Sequence, residues 1–395
     1  MPDSFSMPAT TARPLDRRIR ILFLIPSFKT GGAEIQLLSL VRGLDKSLFF
    51  ITVATFYRGN ELDAVYENLP DVRVVYLEKK NELDLSCIGR LYALIKKHRF
   101  DIVQSYNISA RLFGTITAKL AGVPVITVTE RTARLLYSSR GSRFYLFFEK
   151  FAMRFADLLI ANSEAGRNFA VSRGIRRART SVIYNGIDQG RLKVTKPKNN
   201  IRAEFSMSSD AFLVGMVARL EPLKDPFAFI EAAQKLIPKY ENLYFILVGS
   251  GSLLDMIRDK VLKTDLKNNF LITGHRSDTA DLLNSMNIMV LTSKEVEGCS
   301  NVLLEAMTLG VPVIATRVGG NAEVIEHEKT GLLIPPAKPL ALVEAIERLY
   351  HNKALRIKCA DNARKKTSTR FSQSKMVTAH EKLYRRLIAA RKGGR

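Results

Sequence analysis

Short apolar runs alternate with amphipathic stretches along most of this chain, and that alternation limits the possible folds more than any other feature. Most of the runs are continuously apolar, which is typical of parallel strands buried on both faces of a sheet. The segments between them have helical periodicity, which indicates helices packed on the sheets. The pattern predicts an α/β protein with doubly wound parallel sheets. The predicted strands are 20–25, 51–56, 72–77, 101–105, 124–129, 157–161, 181–184, 212–217, 244–248, 270–273, 288–291, 312–316 and 332–334.

The series of strands is interrupted once, by a polar, lysine-rich stretch at 189–210 that we interpret as an interdomain linker. A chain of 395 residues is long enough for two domains. We therefore expect one Rossmann-like domain over 1–190 and a second over 191–373. The remaining stretch, 374–395, has apolar residues at helical spacing among many cations, which predicts a basic terminal helix.

The positive charge is large and unevenly distributed. The net charge is +23, of which residues 1–190 carry +11, residues 191–350 carry 0 and residues 351–395 carry +12. Such a surplus is typical of a nucleic-acid-binding protein, and equally of a protein that lies on an anionic membrane. The composition alone leaves both interpretations open.

Two other features exclude whole classes of protein. The three cysteines are far apart with no C-x-x-C pair, which argues against a zinc ribbon or a disulfide framework and fits a reducing cytosol. No apolar stretch approaches the roughly 20 residues that a membrane-spanning helix needs, and the N-terminus lacks the apolar core of a signal peptide. Any membrane contact is therefore expected to be peripheral.

The most informative segment runs from Glu297 to Pro312 and reads EGCSNVLLEAMTLGVP. It follows predicted strand 288–291, so it begins at the carboxyl end of a parallel strand. Ser300 suits a helix N-cap and Gly310 suits a helix end, which together predict a short helix.

The start of that helix is a predicted anion site, because free backbone N–H groups and the helix dipole both favour negative charge. The residues whose N–H groups would face the anion are Cys299, Ser300, Asn301 and Val302. Glu305 lies roughly one turn further along the helix and Glu297 just before it. The two carboxylates would then flank a diphosphate, one toward each end of a nucleotide sugar.

The spacing Glu297-x7-Glu305, with its Ala-Met and Gly-Val-Pro continuation, resembles the signature of the retaining GT-B glycosyltransferases of family four, the glycosyl transferases group 1. Other motifs agree with this family in order and spacing and extend the resemblance over nearly the whole chain. They are GGAE at 31–34, NGID at 185–188, VARLEPLKD at 217–225, GHRSD at 274–278 and GGNAE at 319–323.

The resemblance implies a GT-B fold, in which two Rossmann-like domains face a cleft and the terminal helix crosses back to the first domain. It implies that the first domain binds the acceptor and the second binds a nucleotide sugar such as a UDP- or GDP-sugar. By the same resemblance, Arg219 and Lys224 hold the donor diphosphate, Glu305 binds the ribose hydroxyls and Glu297 contacts the transferred sugar. Gly31 and Gly32 match the glycine loop that approaches the phosphates when the domains close.

The family uses no metal ion and no other cofactor, and the five histidines of this chain form no metal-binding pattern. One position departs from many family members: the segment after predicted strand 124–129 has Glu130-Arg131 where they have a histidine. Arg131 could support the sugar phosphate and Glu130 could contact the acceptor. An internal ion pair is an equal alternative.

The acceptor is expected to be a glycan or a lipid-linked glycan at the cytoplasmic face of the membrane, as in polysaccharide or lipopolysaccharide biosynthesis. An aromatic-rich stretch at 140–155 with scattered cations suits a membrane interface, but core packing explains its aromatic residues equally well. A GT-B sugar-nucleotide epimerase is the alternative enzyme. A nucleic-acid-binding protein is disfavoured, because the second domain is electrically balanced and no basic-aromatic binding module is present.

Overall fold

A computed structural model of the chain describes residues 18–81, 84–131, 148–266, 268–295 and 297–393. It contains two parallel sheets. The first has seven strands in the order β3-β2-β1-β4-β5-β6-β7, and the second has six in the order β10-β9-β8-β11-β12-β13. In both sheets the strand order reverses direction beside the first strand of the domain, which is the doubly wound arrangement predicted from the sequence.

The strands lie close to their predicted positions, and each of the thirteen predicted runs corresponds to one strand with ends that differ by at most two residues. Their bounds are β1 Ile19–Ile25, β2 Phe49–Thr55, β3 Val72–Tyr76, β4 Ile102–Ser105, β5 Val125–Glu130, β6 Leu158–Ala161, β7 Thr180–Val182, β8 Phe212–Val217, β9 Leu243–Val248, β10 Phe270–Gly274, β11 Ile288–Leu291, β12 Val313–Thr316 and β13 Leu332–Ile334.

Helices cover both faces of each sheet, so each sheet packs two layers of apolar side chains. This is why the strands read as continuous apolar runs. The helices are Gly32–Gly43, Asp63–Glu67, Ser86–His98, Asn107–Leu120, Glu164–Ser172, Lys198–Glu204, Pro226–Leu236, Leu254–Leu262, Thr279–Ser285, Asn301–Thr308, Asn321–Val324, Pro339–His351, Lys353–Arg370 and Gln373–Gly393.

The polar stretch 189–210 is not simply a linker, because part of it folds onto the second domain. Helix Lys198–Glu204 begins after Pro197, and its Ile201 is fully buried among second-domain residues. The Arg202 guanidinium donates hydrogen bonds to the carbonyl of Ala211 and to the side chain of Asn287. The sequence analysis did not predict this helix, because lysine and asparagine are abundant in the stretch and only the buried face of the helix is apolar.

The terminal helix crosses back to the first domain, as expected of the GT-B fold. Met376, Val377 and Tyr384 are buried in the core on one face of the first sheet. The Tyr384 hydroxyl donates to Oε1 of Gln104 at 2.8 Å, which ties the helix to strand β4. No helix in the described part of the chain is both long and apolar enough to span a bilayer.

Candidate active site

The helix predicted from the Glu297–Pro312 segment is present, and it starts at the cleft. It spans Asn301–Thr308 with Ser300 at the N-cap, and it follows the carboxyl end of β11. The Ser300 hydroxyl makes no capping hydrogen bond. Among the described residues, no acceptor takes a hydrogen bond from the backbone N–H groups of Cys299, Ser300, Asn301 or Val302. The helix start therefore presents unpaired donors, which is the requirement for an anion site.

Glu297 and Lys224 are brought together at the edge of this site. The Lys224 ammonium donates a hydrogen bond to the Glu297 carboxylate, which also accepts one from Ser293 Oγ at 2.5 Å. Lys224 reaches this position from the short 3₁₀ turn Pro222–Lys224 after β8. The Glu297 side chain is nearly buried, so the ion pair is held in one geometry.

Glu305 lies one turn into the helix and is also nearly buried. Its Oε1 accepts a hydrogen bond from Nη2 of Arg191 at 2.8 Å. Burial raises the pKa of the Glu305 carboxyl above its usual value, and the charge and hydrogen bond of Arg191 oppose that rise. The sequence did not single out Arg191, although it lies only three residues after the NGID motif at 185–188.

The glycine loop lies directly across the cleft from the helix start. Asn301 Nδ2 donates to the carbonyl of Gly32 at 3.1 Å. A Cβ added to Gly31 would clash with the Glu34 carboxylate, whereas one added to Gly32 would make an ordinary contact with Asn301 Nδ2, 3.4 Å away. A side chain at Gly31 would therefore require the Glu34 side chain to move.

Asn301 is the centre of a hydrogen-bond network that joins the two domains. Its Oδ1 accepts from Gln36 Nε2 at 3.1 Å and from Asn185 Nδ2 at 2.7 Å. Asn185 Oδ1 in turn accepts from Nη2 of Arg131 at 2.7 Å. The sequence analysis assigned Asn185 no role beyond the NGID motif, and Gln36 gave no signal in the sequence.

Arg219 is exposed and forms no ion pair with any residue that the structure describes. Its charge nevertheless acts across the cleft on Glu34, which lies in the first turn of helix Gly32–Gly43. Burial raises the pKa of the Glu34 carboxyl, while Arg131 and Arg219 lower it. Glu34 is a cleft residue that the sequence analysis did not single out, although it belongs to the GGAE motif.

Glu130 and Arg131 have different surroundings. Glu130 is buried and pairs with Arg111 at 2.8 Å, and Arg111 also pairs with Glu149 at 3.0 Å. This arrangement favours the ion-pair alternative for Glu130, with Arg111 as the partner. Arg131 instead points into the cleft network, with its guanidinium 5.7 Å from the ring centre of Tyr106.

The part of the chain that the structure describes contains no evident metal-binding site. There, no three His, Cys, Asp or Glu side chains lie close enough together to hold an ion. The cleft contains cationic groups and unpaired backbone donors that could bind an anion.

Two Rossmann-like domains that meet at a cleft, with unpaired backbone donors at one helix start, are the arrangement of the GT-B transferases. Residues 197–366 match the family described as glycosyl transferases group 1, and residues 30–191 match glycosyltransferase family 4. The two matches together span most of the chain. The chain belongs to this glycosyltransferase family, whose members use nucleotide-sugar donors.

The chain is similar to characterised members of the family. It is 29% identical over 308 residues to an Escherichia coli UDP-Gal:α-D-GlcNAc-diphosphoundecaprenol α-1,3-galactosyltransferase, covering 76% of this chain and 79% of that enzyme. It is 27% identical over 319 residues to the Staphylococcus aureus capsular polysaccharide glycosyltransferase CapM, covering 78% and 83%. The structure of Anabaena Alr3699/HepE with UDP-glucose superimposes with a TM-score of 0.81 at 26% identity, covering 93% of this chain and 99% of that chain.

Proposed function

We propose that this enzyme is a retaining, metal-independent glycosyltransferase that moves a sugar from a nucleotide-sugar donor to a glycan or lipid-linked glycan. The observation that carries the proposal is the helix start at Ser300, whose unpaired N–H groups face the glycine loop across the cleft. A diphosphate in this gap would accept hydrogen bonds from that helix start. Arg219, exposed and without an ion-pair partner among the described residues, would supply the compensating charge.

Lys224 and Glu297 are proposed to act as a pair on the donor. Glu297 holds the ammonium in place, and in the complex its carboxylate accepts hydrogen bonds from hydroxyls of the transferred sugar. The ammonium then lies beside the phosphate that becomes the leaving group. As the glycosidic bond breaks, negative charge grows on that phosphate, so contacts from Lys224 and Arg219 strengthen in the transition state and raise turnover.

Glu305 is proposed to bind the ribose hydroxyls of the donor. Its carboxylate is nearly buried and has one partner among the described residues, Arg191, so its remaining lone pairs are available to hydroxyl donors. The charge and hydrogen bond of Arg191 oppose the rise in the pKa of Glu305 that burial causes, which favours the ionised acceptor form. Donor binding is therefore expected to depend on both residues.

The acceptor is proposed to bind the first domain beside Arg131 and the glycine loop, and domain closure excludes water from the donor. The lipid-linked character of the acceptor is supported by the E. coli relative, whose name specifies a diphosphoundecaprenol acceptor. A lipid-linked acceptor fits an enzyme that acts in the cytoplasm, peripherally on the inner face of the membrane. The basic first domain and terminal helix would favour that surface.

The proposal is tested first by thermal stabilisation with UDP-, GDP- and ADP-sugars, and then by transfer assays with the stabilising donor. The Arg219→Ala/Lys224→Ala double variant should retain less than a hundredth of the turnover. Replacement of Lys235, an exposed lysine of the same domain, by Ala should leave turnover unchanged. Product analysis by NMR should show the anomeric configuration of the donor, and EDTA should leave the rate intact.

Three results would overturn the proposal or part of it. Full turnover in the double variant would contradict the proposed diphosphate site. Dependence of the rate on added Mg²⁺ or Mn²⁺ would contradict the proposed metal independence. An isomerised donor sugar formed without any acceptor would identify an epimerase instead.

A further inference from the structure

A second cationic site lies in the first domain, away from the cleft. It is a cavity of about 220 Å³, far larger than the ~10–15 Å³ that one water needs. Five cationic side chains line it: Lys150, Arg154, Arg173, Arg176 and Arg179. None of the described residues that line it carries a carboxylate.

The cavity lies at the amino ends of strands β6 and β7. Ala156 lines it just before β6, and Arg179 lines it in the residue that precedes β7. The first domain faces the cleft with the glycine loop after β1 and with Arg131 after β5, at the carboxyl ends of the strands and therefore at the opposite edge of this sheet. Four residues of β6 separate the two edges, about 13 Å at ~3.3 Å per residue. The cavity is therefore distinct from the donor and acceptor sites.

Two of the five cations are held in place by the protein. Arg179 donates to the backbone carbonyls of Arg154, at 3.2 Å, and of Ala156. Arg173 pairs with the buried Glu149 at 2.7 Å. These contacts fix two guanidinium groups on the wall of the cavity before any ligand arrives.

The other three cations, Lys150, Arg154 and Arg176, are exposed and form no ion pair with a residue that the structure describes. Their charges repel one another, and no described carboxylate pairs with them. An anion in the cavity would relieve this repulsion and accept hydrogen bonds from several of them. A phosphate group carries negative charge, and guanidinium groups match its geometry.

Exposed aromatic side chains occur on the same helical segment as two of the cations. Phe148 and Phe151 lie on the segment that carries Lys150 and are 40% and 48% exposed. Arg154 lies over the Phe151 ring, 5.9 Å from its centre. The terminal helix adds Arg391, which pairs with Asp157, the residue after Ala156. Exposed aromatic rings among cations are the side chains that lie at the headgroup level of a membrane.

We propose that this cavity binds the phosphate of an anionic membrane lipid headgroup, while Phe148 and Phe151 enter the surrounding interface. The site would hold the first domain on the membrane and leave the cleft free to receive a lipid-linked acceptor. This inference rests on the proposed peripheral membrane association and assigns it to particular residues. It is independent of the chemistry in the cleft.

The test is co-sedimentation of the full chain with vesicles of phosphatidylcholine containing 30 mol% phosphatidylglycerol, at about 0.15 M salt. The variant is Arg154→Gln/Arg176→Gln, which neutralises two exposed cations without touching the cleft. The matched control is Lys235→Gln/Lys263→Gln, which removes the same charge from exposed positions of the second domain. Thermal unfolding verifies that both variants are folded.

We expect the cavity variant to lose at least tenfold in vesicle partitioning, and the control to change by less than twofold. Pure phosphatidylcholine vesicles should not bind the native chain. An equal loss in the two variants would show general charge attraction and overturn the site. Duplex DNA binding that is lost in the cavity variant, without vesicle binding, would overturn it as well.

A second arm distinguishes a lipid phosphate from a free one. Inorganic phosphate and glycerol phosphate are titrated by calorimetry against the native chain and the cavity variant. Micromolar binding of either to the native chain, combined with unchanged vesicle binding in the variant, would identify a soluble ligand and overturn the lipid assignment. Nucleotide-sugar binding should be the same in the native chain and the cavity variant. A result that contradicts the membrane site would therefore not contradict the proposed transferase function, which has a separate test.

Discussion

Asn301 of the second domain donates a hydrogen bond across the cleft to the backbone carbonyl of Gly32 in the first domain, with Nδ2 and O 3.1 Å apart. The same side chain accepts hydrogen bonds from Gln36 and Asn185. One amide therefore joins the helix of the proposed donor site, the glycine loop and the connection between domains. Donor binding at the proposed site would therefore be coupled to domain closure.

Replacing Asn301 with Ala should lower kcat/KM for the donor by about a hundredfold, because three hydrogen bonds worth about 1 kcal/mol each are lost. Steady-state kinetics give the loss, and small-angle scattering should show a larger radius of gyration with donor bound. The control is Lys235→Ala, at an exposed lysine of the same domain, which should leave kcat/KM unchanged. Native kinetics in Asn301→Ala would show that the network does not assist closure.

The carboxylate of Glu323 should stabilise the interface between the domains. Its two oxygens accept from the backbone N–H groups of Glu164, at 2.8 Å, and Ala165, at 2.9 Å, so a second-domain side chain caps a first-domain helix. Tyr184 donates a third hydrogen bond to Glu323, at 2.9 Å. Glu323→Ala should cost about 1–2 kcal/mol, as the loss of a good cap does.

Urea unfolding measures that cost, and amide exchange should accelerate at 164–166. The control is Glu326→Gln, which removes a half-exposed ion pair with Lys366 and should change stability by less than about 1 kcal/mol. Equal effects of the two substitutions would show that the cap contributes no more than a surface ion pair.

Glu305→Gln should make the free enzyme more stable at neutral pH while it weakens donor binding. Burial raises the pKa of Glu305 above 4.5, so the folded protein holds this proton more tightly than the unfolded chain. The stability contributed by the protonated carboxyl is complete below pH 4.5 and is lost as the pH rises through the folded-state pKa. Glutamine does not titrate, so Glu305→Gln does not lose this stability as the pH rises.

The measurement is the difference in unfolding free energy between variant and native enzyme from pH 4 to 8, with donor affinity by calorimetry. The difference should grow with pH and then level off, and donor affinity should fall at least tenfold. The comparison of two proteins cancels the contribution of Glu34, whose pKa is also raised by burial. A difference independent of pH would contradict the assignment.

The strands and the helix after β11 were predictable because both depend on local pattern. Continuous apolar runs mark strands buried on both faces, and the spacing from Ser300 to Gly310 marks the start and the end of a short helix after β11. The partners of these residues were not predictable in the same way. Gln36 and Asn301 are 265 positions apart, and Arg191 and Glu305 are 114 apart. These hydrogen bonds form only because the two domains pack against each other.

Glu130 also shows that the sequence alone does not determine which side chains come into contact. It stands next to Arg131, and their adjacency suggested either a site or an ion pair between neighbours. Successive side chains of a strand point to opposite faces. Glu130, the last residue of β5, turns to Arg111 on helix Asn107–Leu120, and Arg131 turns to Asn185 in the cleft. Only the positions of these other elements decide between the alternatives.

Acid should weaken the docking of the terminal helix through His380. This ring is buried against the first domain, and burial, assisted by the charge of Arg131, lowers its pKa to about 4. The unfolded chain takes up a proton near pH 6.5, while the folded protein resists protonation until about pH 4. Stability contributed by the neutral ring is therefore present above pH 6.5 and is lost as the pH falls toward 4, by up to about 3 kcal/mol.

His380→Gln should flatten this dependence between pH 6.5 and 4, while His275→Gln, at an exposed histidine, should leave it unchanged. Because the chain has no tryptophan, unfolding is followed by circular dichroism, and amide exchange reports the helix Gln373–Gly393 directly. In the native protein, exchange in this helix should accelerate below pH 6 before the second domain is affected. If the native chain and His380→Gln show the same acid profile, the titrating group lies elsewhere.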